Sequence, residues 1–280
     1  TYLNSLLLAN AIQAIGTLIS TQWVVQGAVT PGTLCSIQGG VKQAGNVGAA
    51  LWSFMLAVHA FNLIFLRVDV STLAKWITIV VGWLAVVLVV IIGPLAIENK
   101  ARGPYFGISG YWCWITDEYP AEQTFLEYFF EWLSAFLSFV LYTFSLLRVR
   151  GNLIRDINGR WRLRFVPRGE SWQLAIGRDM IDAAMVRVAS IVVWYPVAYT
   201  LLILPITIAR FASYAGAQVP TWATLLCDVI FSLSGFVNFM LAIITSRMFP
   251  DFRALPHFAT PRRGLDNSGP GALGITPFML

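Results

Sequence analysis

Trp76 to Ile97 reads WITIVVGWLAVVLVVIIGPLAI, a stretch without a single charged side chain. About 20 apolar residues suffice to cross the hydrocarbon core of a bilayer as a helix. A helix also satisfies its own backbone polar groups there, as an isolated strand does not. Working outward, the same pattern recurs, and about six spans are expected. They are Leu3 to Val25, Cys35 to Leu66, Leu73 to Ile97, a span from Pro120 to near Leu147, Met185 to Ala209, and Thr221 to Thr245. The runs are continuous rather than alternating, which argues for helices and against a β-barrel. Composition agrees. Of 280 residues, 57% are hydrophobic and 12% charged, whereas a soluble domain is about a quarter charged. The expected fold is an all-α membrane protein, with lipid as the solvent for most of its surface.

Charge orients the spans. Arg67 and Lys75 follow the second span, and Arg148, Arg150, Arg155, Arg160, Arg162, Arg164, Arg168 and Arg178 follow the fourth. Arg247, Arg253, Arg262 and Arg263 follow the sixth. If the spans alternate, all of these share one side, which the excess of basic residues marks as cytoplasmic. The opposite side receives Val29–Leu34, Glu98–Pro120 and Ala212–Val219, with Glu98, Asp117 and Glu118 among them. The chain is therefore divided into a transmembrane bundle, 1–249, containing a cytoplasmic Arg-rich loop, 150–184, and a flexible cytoplasmic tail, 250–280. It begins in an apolar stretch without a basic leader or cleavage pattern, so no signal peptide is expected. One further helix before Thr1 is expected, for seven spans in all. The net charge of +5 and the stretch GRWRLRF, Gly159 to Phe165, could suggest RNA. Between two spans, anionic lipid headgroups are the better partner, and no nucleic acid is expected.

Within the acidic outer loop lies GYWCWITDEYP, Gly110 to Pro120. Topology brings Cys113 and Cys35 to the same oxidising side, where a disulfide persists. The alternative is two unrelated free thiols; the bridge is preferred because charge alone sets the topology, independently of the cysteines. It would tether the loop as a lid, with Tyr111, Trp112 and Trp114 in an interfacial aromatic belt. Pro120 suits the first turn of the next helix. Cys227 lies within the last span as a small apolar residue.

These stretches resemble a known family. Cys35-Ser36-Ile37-Gln38-Gly39 resembles the C-x-x-Q-G opening of the third helix in cyclic-AMP-receptor-like G-protein-coupled receptors. Trp112-Cys113-Trp114-Ile115 resembles their W-C-W-I loop, and Gly235-Phe236-Val237-Asn238 their G-F-x-N stretch. Trp194-Tyr195-Pro196-Val197-Ala198-Tyr199, with Pro205, is similar to the sixth helix of fungal members, which include nutrient and glucose receptors. The resemblance covers Leu3 to about Phe252 as helices two to seven of a seven-transmembrane helical bundle. It implies an extracellular small-molecule ligand, a heterotrimeric G protein with its Gα subunit as partner, a plasma-membrane location and no cofactor. After Val58-His59-Ala60 the acid-arginine-tyrosine lock of rhodopsin-type receptors is missing, so their coupling details do not carry over.

Lys42 lies two turns, about 10 Å, below Cys35, a depth at which a cation needs a partner or water. Gln38, Asn46 and Ser53 share its helix face by spacing. Asp228 lies at similar depth in the last span, and Glu127 and Glu131, one turn apart, in the outer half of the fourth. We expect a polar ligand pocket open to the outside, with Lys42 as its cationic pole. That pole favours a ligand with an anionic or hydroxyl-rich face. The alternative is a structural pair of Lys42 with Asp228 or Glu131 that pins helices together. Pro196 and Pro205 bend the fifth span, either as a static kink or as a hinge. Arg67, Arg148, Arg150 and Arg187 are expected on a G-protein-facing surface, or serve as simple topology anchors.

Enzyme readings are poor. His59 and His257 are too few and too far apart for a zinc helix motif. Leu233-Ser234-Gly235 only faintly suggests an intramembrane serine protease. A transporter or channel for a small polar solute is the rival class, against which stands the absence of an internal repeat.

Overall fold

The computed structural model describes residues 2–66, 68, 70–149, 152–155, 161–163 and 194–248. Among the described residues, six helical spans are long and apolar enough to cross a membrane: Tyr2–Gln26, Thr33–Leu66, Thr72–Ile97, Pro120–Arg148, Val197–Tyr214 and Thr221–Ile244. The protein is a multi-pass helical membrane bundle. The first span is two helices, α1 Tyr2–Leu18 and α2 Ser20–Gln26. The second is α3, Thr33–Phe61, extended by a π-helical turn to Leu66. The third is α4, Thr72–Ile92, which Ser71 caps by accepting from the Ala74 amide. It too ends in a π turn, Gly93–Ile97.

The second span carries a run of small residues, Gly39, Gly40, Ala44, Gly45, Gly48, Ala49 and Ala50, which explains its position. α3 packs along α1 on one side and the fourth span on another, and also meets the third and fifth. A Cβ on Gly45 would fall 2.6 Å from the Gln13 backbone, so α1 and α3 approach closely only because Gly45 has no side chain. α4 is the opposite case. Leu73, Trp76, Val80, Leu84 and Leu88 are exposed along its length, as expected of a helix whose outer face meets acyl chains rather than water.

Between the third and fourth spans, β1 Phe106–Ser109 pairs antiparallel with β2 Trp112–Ile115, with Ser109 opposite Trp112. Gly110 turns the corner at φ 76°, which favours glycine in a tight hairpin turn. All four β2 residues are buried. The aromatic-belt expectation is therefore corrected: Trp112 and Trp114 are 6% and 3% exposed, and only Tyr111, at 56%, faces outward. The two indoles turn inward, toward cations and a carboxyl group beneath the hairpin.

Pro120 opens α5, Pro120–Gln123, as its composition suggests. A π turn, Thr124–Tyr128, leads into α6, Phe129–Val149. The fifth span corrects the sequence boundary. α7 runs Trp194–Tyr214, so the span continues past Ala209 and includes Arg210. Pro205 lies inside α7, and Pro196 sits in the first described turn. The last span divides into α8 Thr221–Ser232 and α9 Ser234–Met248 at Leu233, a break without a proline.

At the end away from the hairpin, β3 Leu153–Arg155 pairs with β4 Trp161–Leu163. Trp161 stacks on Phe65 at 5.0 Å between centroids, and the Arg148 guanidinium lies 5.4 Å and 5.1 Å from the Phe65 and Trp161 rings. Arg67, Arg150 and Arg187 lie outside the described residues. So do the tail 250–280 and most of the Arg-rich loop.

Candidate ligand pocket beneath the hairpin

Cys35 and Cys113 form a disulfide, with sulfurs 2.07 Å apart. It fastens β2 to the first turn of α3, where Trp23 packs over both cysteines. Cys227 is free and half-buried.

Gln38, one turn further along α3, completes the fastening. Its Oε1 accepts from Trp23 Nε1 (2.7 Å) and from the Cys113 amide (3.0 Å). Its Nε2 donates to the Gly16 carbonyl (3.0 Å) and Ser20 Oγ (2.8 Å). A side-chain amide has two donors and two acceptor lone pairs, so Gln38 is fully occupied. Gln38 thus braces the lid, and it is not among the residues lining the space below.

The pocket begins below it. Lys42, Asn46, Glu127, Glu131 and Asp228 converge there with Trp112, Trp114, Tyr128, Ile206, Arg210 and Phe231. The space between them is about 330 Å³, including the part open to solvent. That lies at the small end of ligand sites. Lys42 Nζ is 3.5 Å from Asp228 Oδ1 and 4.5 Å from the Trp112 ring centre. The Arg210 guanidinium is 5.7 Å from the Trp112 ring and 5.3 Å from Trp114. A cation over an aromatic face gains about 0.5–2 kcal/mol, most where water is excluded. Two indoles roofing two cations thus explain why the tryptophans face in.

The two glutamates differ. Glu127 Oε1 accepts from Asn46 Nδ2 (2.6 Å), and Oε2 accepts from Trp114 Nε1 (2.5 Å). The π turn that contains Glu127 departs from regular helix, a distortion common at functional sites. Glu131 is 1% exposed, yet neither of its oxygens has a hydrogen-bond partner among the described residues. Beside the pocket, burial and then the nearby Glu127 push the Tyr105 phenol above its ordinary pKa, so that phenol stays neutral.

A chain of hydrogen bonds leaves the pocket through Asn46. Gln13 Nε2 donates to Asn46 Oδ1 (2.9 Å), and Ser234 Oγ donates to Gln13 Oε1 (3.2 Å). Trp114, Glu127, Asn46, Gln13 and Ser234 therefore join the hairpin, the fourth, second and first spans, and the break in the sixth. Of the residues expected from sequence, Lys42, Asn46, Glu127, Glu131 and Asp228 meet in one place. Arg210, Trp112, Trp114 and Gln13 are additions that sequence reasoning misses. Arg210 escapes it because the apolar run of the fifth span ends one residue earlier, at Ala209.

The fold resembles that of squid rhodopsin. The TM-score is 0.53, the match covers 80% of this chain and 67% of that chain, and sequence identity is 16%. No protein-family model matches the chain, and no curated protein matches it in sequence. The likeness to squid rhodopsin thus concerns fold: a seven-transmembrane-like helical bundle, with six spans among the described residues.

Proposed function

We propose that the protein is a G-protein-coupled receptor for an extracellular small molecule, with its six spans as helices two to seven. The observation that carries this reading is the hydrogen-bond chain from the pocket roof at Trp114 to the helix break at Ser234. Occupation of the pocket would bear on Glu127 and Trp114, and the chain leads from there to a point where the last span can change its bend. A ligand shifts such an equilibrium only by binding one arrangement better than another. The rhodopsin-like fold supports the receptor class. The C-x-x-Q-G and W-C-W-I stretches support, within it, a cyclic-AMP-receptor-like member close to fungal nutrient receptors.

In this reading the hairpin faces outside, the protein resides in the plasma membrane, and its C-terminus is cytoplasmic. Arg67, Arg148, Arg150 and Arg187 face Gα, and Pro196 and Pro205 let the fifth span swing. The deciding experiment is nucleotide exchange on a co-expressed Gα while a nutrient panel is applied to the chain in membranes. Ligand-dependent exchange is expected. Solute flux into liposomes without any G protein, and no exchange, would instead make the protein a transporter or channel.

A further inference from the structure

Two polar groups in the pocket have hydrogen-bonding capacity that no described neighbour uses. Glu131 is buried to 1% exposure, and both carboxyl oxygens lack a hydrogen-bond partner among the described residues. Its helical neighbour Glu127 has both oxygens engaged, by Asn46 and Trp114, so Glu127 shares no donor with it. Leaving a buried polar atom unpaired is costly, and more so for a charged one. On the fifth span, Arg210 Nε is buried without a partner among the described residues, its guanidinium held over the two indoles. Lys42, by contrast, is already engaged by Asp228. The pocket thus has one acceptor group and one donor group unmet among the described residues, on different spans, with Ile206 and Phe231 as apolar parts of the lining.

We infer that the pocket takes a small zwitterion, its ammonium group set against Glu131 and its carboxylate against Arg210. Each end meets the protein group that lacks a partner, and a carboxylate suits the planar donor array of arginine. The space, about 330 Å³ including the part open to solvent, lies at the small end of ligand sites and favours a small zwitterion. This deepens the receptor reading and rests on it only for the claim that the pocket is the ligand site.

The test is calorimetric titration of the full chain in lipid nanodiscs. The probes are glycine, β-alanine and γ-aminobutyrate, with ethylammonium and acetate as one-handed controls. At least one zwitterion should bind about 10- to 100-fold more tightly than either control, the value of one charge-assisted hydrogen bond. The preferred length among the three reports the separation of the two protein groups. Glu131→Gln should weaken ethylammonium and leave acetate unchanged, and Arg210→Gln should do the reverse. If either variant fails to assemble, the length series on the unaltered chain decides alone. The inference is overturned if no zwitterion binds to folded protein with the Cys35–Cys113 bridge intact, or if acetate or ethylammonium binds as tightly. It is also overturned if the crosswise pattern is absent in folded variants. Zwitterion binding without nucleotide exchange on any Gα would keep this inference and sink the receptor reading. Exchange driven by another class of compound, with no zwitterion bound, would do the opposite.

Discussion

Asn46 occupies the middle of the polar chain, donating to Glu127 and accepting from Gln13. Replacing it by Ala strands two buried groups at once, Glu127 Oε1 and Gln13 Nε2. Each such group costs about 1–3 kcal/mol when left unpaired, so Asn46→Ala should lower the unfolding free energy by a few kcal/mol. Thermal unfolding in nanodiscs measures this, and a change within about 0.5 kcal/mol, as for an ordinary surface substitution, would mean that the chain does not stabilise the bundle. Lys42 separates two roles more cleanly. If it is part of the ligand site, Lys42→Ala should reduce ligand-driven nucleotide exchange by about tenfold or more while folded protein is still recovered. Intact exchange with reduced folded yield would leave Lys42 as a helix pin to Asp228. At this scale the sequence is informative where a residue type is costly in lipid: Lys42, Asp228, Glu127 and Glu131 announce themselves by depth alone. It is uninformative about what covers them. Gln38 shares a stripe with Lys42, but only the convergence of Trp23, Ser20 and Cys113 shows that it is consumed by the lid. Hydropathy treats Arg210 as the end of a span, whereas two indole faces let it sit inside one.

The hairpin is held at the β2 strand by one covalent bond, by Gln38, and by the Trp114–Glu127 hydrogen bond. A disulfide commonly contributes about 2–4 kcal/mol, but here the helices on either side are retained by lipid, so reduction should act locally. With Cys113→Ser, backbone amides of residues 106–115 should exchange hydrogen markedly faster, while those of α3 and α6 keep their protection. Hydrogen exchange read by mass spectrometry tests this; unchanged protection of the hairpin would show that Gln38 and the aromatic packing suffice without the bridge. The contact between α1 and α3 depends on a different feature. At Gly45 a methyl group would press on the Gln13 backbone, which cannot rotate away as a side chain does. Gly45→Ala should therefore destabilise the bundle, by about 1–3 kcal/mol if it behaves as an overpacked core, despite the higher helix propensity of alanine. Elements of this kind are legible in part. Span existence follows from continuous apolar runs, and the slimness of α3 from its glycines and alanines. The hairpin reads only as a loop, because a strand of four buried aromatic and apolar residues lacks the alternation that marks a half-exposed one. The break at Leu233 carries no proline to announce it; α9 meets α1 through Ser234 and Gly235 there, a tertiary contact without a local signature.

The molecule as a whole has two ends of different character. The hairpin, the disulfide and the pocket gather at one end, and Phe65, Arg148 and Trp161 at the other. That separation is legible in the sequence, because charge bias and span count are independent and agree. Which end faces the outside follows from the charge bias alone, so it calls for a direct test, and the lysines supply one. The chain has Lys42, Lys75 and Lys100. Lys42 is buried in the pocket, Lys100 is exposed beside the hairpin, and Lys75 sits in the first turn of α4 at the opposite end. In intact cells a membrane-impermeant amine reagent should label the peptide containing Lys100 and spare the one containing Lys75. After permeabilisation both should be labelled, and Lys42 should remain resistant until the protein is denatured. Labelling of Lys75 but not Lys100 in intact cells would invert the orientation. It would turn the pocket toward the cytoplasm and remove the extracellular-ligand reading along with it, whatever the fold resembles.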